Sequence, residues 1–373
     1  MTVYYSKGHT SSGSPLAFQT PANWNTEDDA TGSDATTLAG HHLIVQASHY
    51  MTLGADVACG SVRLLGTLTG NDNTITTDRA TSNKPFDHDG TISGDLNVTI
   101  TNTGVQADGL MLDSGHGNTG NINDLTINMA NGTTANKTIG IAETCTLDGD
   151  LTITSGTFDT VFSGGSSQTL TVTGQVSVTG TLTCNESAIN IGSLYITSNG
   201  VVNATNQTTT INKETSVSAV GYAVYNEGTF HHNNGLVVIG TDTSTIVYGM
   251  EGDDTSGANS NAFYRVQVEL DNAAYFCKFR PQAGTVAVKI ANDLTVAEGI
   301  VSQETATHSF EVDVDVSIES GGVLGRTDIT GANTFGSLTI ASSGEYIATS
   351  GTTTITAEGD GSSGTNGYAW YNV

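Results

Sequence analysis

Several short stretches hold residue types that could do chemistry. Asp113-Ser114-Gly115-His116 contains the acid, hydroxyl and imidazole of a nucleophilic triad. It lacks the Gly-x-Ser-x-Gly strand-to-helix elbow that exposes a reactive serine. Asp87-His88-Asp89-Gly90 sets two carboxylates about an imidazole, and the glycine that follows reads as a turn. Glu27-Asp28-Asp29 and Glu251-Gly252-Asp253-Asp254 offer clustered oxygens of the kind that hold a hard cation. Neither has EF-hand spacing or the Gly-Asp repeat of calcium-binding β-rolls, so both read as solvated acidic loops. His41-His42 and His231-His232 are adjacent pairs. Neighbours on a strand face opposite sides, so neither pair can grip one metal. Cys59, Cys145, Cys184 and Cys277 are scattered widely along the chain, which fits neither a metal site nor a disulfide framework. They read as small buried apolar side chains, made in a reducing cytoplasm. No catalytic, cofactor-binding or metal-binding residue emerges.

The elements behind these stretches are strands. One phrase recurs: Asp or Ser, Leu, a polar residue, then Ile or Val. It stands at Asp95-Leu96-Asn97-Val98, Asp124-Leu125-Thr126-Ile127, Asp150-Leu151-Thr152-Ile153, Ser193-Leu194-Tyr195-Ile196, Asp293-Leu294-Thr295-Val296 and Ser337-Leu338-Thr339-Ile340. Leu170-Thr171-Val172 fits without the leading residue. Each phrase alternates apolar and polar, the period of a half-buried strand, and Gly often follows where a tight turn needs it. The leucines Leu96, Leu125, Leu151, Leu170 and Leu194 recur at a loose, shifting interval. The expected fold is all-β: a parallel β-solenoid of roughly 19–29-residue coils, stacked about 4.8 Å apart with Leu, Ile and Val inward.

A longer repeat lies above the short one. Gly192-Ser193-Leu194 matches Gly336-Ser337-Leu338, and Thr208-Thr209-Thr210-Ile211 matches Thr352-Thr353-Thr354-Ile355, both at an offset of 144. Asp150-Leu151 matches Asp293-Leu294 at 143, and Gly221-Tyr222-Ala223 matches Gly367-Tyr368-Ala369 at 146. A block of about 145 residues is duplicated in tandem. The expected organisation is an N-terminal cap or docking segment over 1–40, where Tyr4, Tyr5, Phe18 and Trp24 fall, and a solenoid over 41–226. Irregular aromatic-rich coils follow over 227–292, with a second copy of the 150–226 block over 293–373. That copy breaks off at Val373 one residue past its matching Asn372, which raises the expectation of a longer natural chain or of capping by another chain.

Charge narrows the partners. Eleven Lys+Arg against 37 Asp+Glu give −26, which repels nucleic-acid phosphates. No apolar run is long enough to span a membrane, and Met1 to Gly13 does not read as a signal peptide. A basic groove for acidic sugars is hard to build from so few cations. A pair of carboxylates roughly 5–10 Å apart across coils, as a solenoid glycosidase would use, has no signature in a linear sequence.

Asp150-Leu151-Thr152-Ile153-Thr154-Ser155-Gly156-Thr157-Phe158 and Tyr225-Asn226-Glu227-Gly228-Thr229-Phe230-His231-His232-Asn233-Asn234-Gly235 resemble the repeats of phage tail-fibre and appendage proteins, and of bacterial surface adhesins. The likeness spans roughly residues 40–373. The resemblance implies a non-enzymatic fibre on a virion, held to other virion proteins through residues 1–40. It also implies a homo-oligomer such as a trimer, in contact with the host surface and its glycans. The alternatives are a bacterial extracellular fibre or adhesin, and then a carbohydrate-active β-helix enzyme. No cofactor is expected.

Overall fold

Alternating Thr and Val, Ile or Leu along short runs can bury only one side of a strand. Each run must therefore find a neighbour that continues the same inward surface. The computed structural model describes residues 2–8, 11–78, 84–101, 110–113, 119–130, 137–162, 164–213, 221–240, 246–250, 262–281 and 287–356. Ser114-Gly115-His116, Glu251-Gly252-Asp253-Asp254 and the second-copy segment from Gly367 to Asn372 lie outside them. The described chain is a parallel β-solenoid, all-β apart from the 3-10 turn Pro21–Asn23.

Each coil has three faces. In one coil, His42–Val45 forms the first face, Tyr50–Thr52 the second and Val57–Cys59 the third. The next coil repeats them as Ser61–Leu64, Thr67–Thr69 and Asn73–Thr77, each parallel to its predecessor. From His42 to Tyr346 the faces close thirteen coils among the described residues. On the second face one inward ladder runs Leu147, Val172, Ile191, Ile211, Ile239, Val268, Val296 and Ile318. None is more than 3% exposed. Burying such a side chain contributes about 1.5–3 kcal/mol, so the stack is held by its bore. The outward ladder beside it is polar for most of its length, with Thr146, Thr171, Asn190, Thr210, Gln267, Thr295 and Ser317.

The register changes one detail of the sequence reading. The third-face ladder runs Leu125, Leu151, Val176, Leu194 and Val224, at uneven steps along the chain. Leu170 is not on it. Leu170 stacks on Cys145 and Ile189 of the second face, because strand Leu170–Val178 bends at a register shift after Val172 and serves two faces.

The duplicated block keeps its architecture but not its orientation. Strand Ser309–Ile318 breaks register after Val312, as Leu170–Val178 does after Val172. Yet Leu294, the match of Leu151, stacks between Val266 and Val316 on the second face, whereas Leu151 lies on the third. Leu338 likewise stands on the second face and its match Leu194 on the third. The two copies are seventeen faces apart, one short of six full coils.

At the N-terminal end, Val3–Ser6 stacks on His42–Val45, and Trp24–Asn25 pairs antiparallel outside it. Phe18 and Trp24 are fully buried with ring centroids 4.9 Å apart, and Trp24 Nε1 donates to the Phe18 carbonyl at 2.7 Å. Both aromatics belong to the apolar core cluster, and the antiparallel strand interrupts the parallel edge.

Candidate functional site

Among the described residues, those singled out in the sequence do not converge. Asp87 lies on strand Phe86–His88, held by Lys84 at 3.2 Å and Arg63 at 3.3 Å, and Asp89 meets Arg63 at 3.1 Å. Asp29 accepts from the Thr31 amide and hydroxyl at 3.0 and 2.6 Å, bonds that lower its pKa. His41 Nδ1 accepts from the Thr2 amide, while His42 Nδ1 meets Ser61 Oγ. The four cysteines are buried and form no disulfide, and burial pushes the thiols of Cys59, Cys184 and Cys277 up. Thiolate chemistry is thereby suppressed. Among the described residues, no group of three His, Cys, Asp or Glu side chains is placed to hold a metal.

Stacking builds a site that linear spacing hides. At the corner between the first and second faces, the turns of four successive coils enclose an open groove of about 620 Å³. Asn185, Asn206, Asn233 and Asn234 line it, with Glu186 and His232. The turns need left-handed backbone, and Asn185 (φ 50), Asn233 (φ 47) and Asn234 (φ 63) supply it. Asparagine tolerates that region better than other side chains.

Three of these side-chain amides have a hydrogen-bond partner. Asn185 Nδ2 donates to Asp159 Oδ1 at 2.6 Å, and Asp159 Oδ1 also accepts from the Val161 amide at 2.8 Å. Asn233 Nδ2 donates to the Ala204 carbonyl at 2.7 Å. Asn206 Oδ1 accepts from Gln207 Nε2 at 3.1 Å. Beneath them a buried hydroxyl relay ties the coils, with Ser187 Oγ on Thr160 Oγ1 at 2.7 Å and Thr160 Oγ1 on the Cys184 carbonyl at 2.7 Å. His232 lines one side and is backed by Tyr264, centroids 5.1 Å apart and planes 19° apart. His232 Nδ1 accepts from the Asn234 amide at 3.0 Å, which places the ring proton on Nε2. Glu186 is the one carboxylate among the described lining residues, so they hold no carboxylate pair.

A second surface departs from the Thr and Asn exterior. On the third face Tyr195, Tyr225, Phe276, Ile300 and Val323 point outward and stand half-buried. Tyr195 and Tyr225 hydroxyls each donate to Glu227 at 3.1 Å, with ring centroids 5.4 Å apart. Burial and that carboxylate raise both phenol pKa values.

Sequence reasoning passed over the asparagines as ordinary turn residues. Their signal was an Asn just after the first-face strand in consecutive coils. No protein family, curated protein or solved structure matches the chain.

Proposed function

We propose that the protein is a non-enzymatic rod, a phage virion appendage held to the particle through residues 1–40 and in contact with the host surface. The observation that supports this reading most is the unbroken inward ladder from Leu147 to Ile318, which makes length and stiffness the product of the sequence. The acidic, Thr-rich exterior keeps such a rod in solution and hinders edge-to-edge association. Two outward patches on the third face, Tyr195 with Tyr225 and Phe276 with Ile300 and Val323, support lateral contact between copies, as in a trimer. Cryo-electron microscopy of the native particle tests the reading. The expected image is a rod that points outward, with the Val3–Asn25 end against a capsid or tail protein. Identical chains joined end to end without phage components would overturn it and favour a bacterial extracellular fibre.

A further inference from the structure

We infer that the asparagine groove binds a neutral oligosaccharide through adjacent hydroxyls. This rests on the adhesive part of the reading above and names its ligand. A sugar presents hydroxyls that both donate and accept, so its site must alternate the two roles. The groove does so coil by coil. Asn185 and Asn233 use Nδ2 on Asp159 and on the Ala204 carbonyl, which leaves their Oδ1 atoms as acceptors. Asn206, on the coil between them, uses Oδ1 on Gln207, which leaves Nδ2 as donor. Acceptor, donor and acceptor therefore follow one another at the coil spacing of about 4.8 Å. Bonds to neighbouring coils fix the Asn185 and Asn233 side chains beforehand, so little of their rotamer freedom is lost on binding.

Charge selects the class. Among the described residues Glu186 lines the groove and no Lys or Arg does. The nearby Arg265 already donates to the Asn234 carbonyl at 3.2 Å. Within a rod of net charge −26, uronates, sialic acids and phosphorylated sugars meet repulsion, and no guanidinium is among the lining residues to offset it. His232, the one ring among the lining residues, is held in place by its stack on Tyr264. The volume of about 620 Å³ falls within the usual range for small-ligand sites.

The test uses the full chain against a panel of neutral tri- to hexasaccharides of the gluco, galacto, manno and N-acetylhexosamine series, beside uronate and sialylated oligomers. Retained probes are then titrated by calorimetry. Asn206 is exposed, so Asn206→Trp fills the groove without touching the bore, and Asn128→Trp on the third face is the matched control. The expected result is retention of a neutral probe, a loss of at least tenfold in affinity with Asn206→Trp, and none with Asn128→Trp. Three outcomes overturn the inference: no neutral probe retained, acidic probes retained equally well, or Asn206→Trp binding like the parent. Absence of the chain from virions alongside intact neutral-glycan binding would sink the appendage reading and leave the groove standing.

Discussion

His42 and His49 sit where coils meet the N-terminal segment, each with Nδ1 2.7 Å from a serine hydroxyl, Ser61 and Ser6 respectively. Burial lowers both imidazole pKa values, and Arg63 lowers that of His42 further. The fold thus favours neutral rings, and below about pH 6.5 the unfolded chain binds more protons than the native one. Stability from these groups is present above that pH and is lost as pH falls through it. The melting temperature at pH 5 is expected to lie below that at pH 7.5, with a smaller gap in His42→Gln. An identical gap in the variant would remove His42 as a source. The adjacent imidazoles of His41 and His42 have separate partners, Thr2 and Ser61, with His41 just before the strand that His42 begins. The Arg63 that holds Asp87 was not legible, because it stands on the preceding coil and meets Asp87 only once the coil length is known.

At the scale of a strand, the phrase Leu-Thr-Ile states which side is inward but not which face of the coil it occupies. Leu151-Thr152-Ile153 and Leu170-Thr171-Val172 look alike and stand on different faces. This is why in-and-out alternation and solenoid class could be read from the sequence, while the course of each ladder could not. The groove shows the same limit. Asn185, Asn206 and Asn233 share no common spacing in the sequence, and only stacking aligns them. Leu294→Asp places an uncompensated charge between Val266 and Val316, at a cost of several kcal/mol. Limited proteolysis should then open the chain near that coil while distant coils stay resistant. Full resistance would count against this register. Gly156 is a second sensitive point, since its φ is +88 and a Cβ there would lie 2.7 Å from the Lys137 carbonyl. Gly156→Ala should lower stability by roughly 1–2 kcal/mol in denaturant titration.

Across the whole molecule, the bore is a single apolar cluster from Tyr4 to Phe335, and all four cysteines belong to it. A thiol reagent should therefore label none in the native protein and four in denaturant. Fast native labelling of even one would show a coil open to solvent. The seventeen-face offset between the copies has a geometric consequence. Copying a stretch of this chain did not require a whole number of coils, only a whole number of faces, since Leu294 and Leu338 sit on the second face while their matches Leu151 and Leu194 sit on the third. The increment of growth is a third of a revolution. A further copy inserted at the same offset would advance the motif by one more side, and three successive offsets would return it to its starting azimuth. One polypeptide would then display the same surface feature toward three compass points along its length, a screw symmetry written in a single chain.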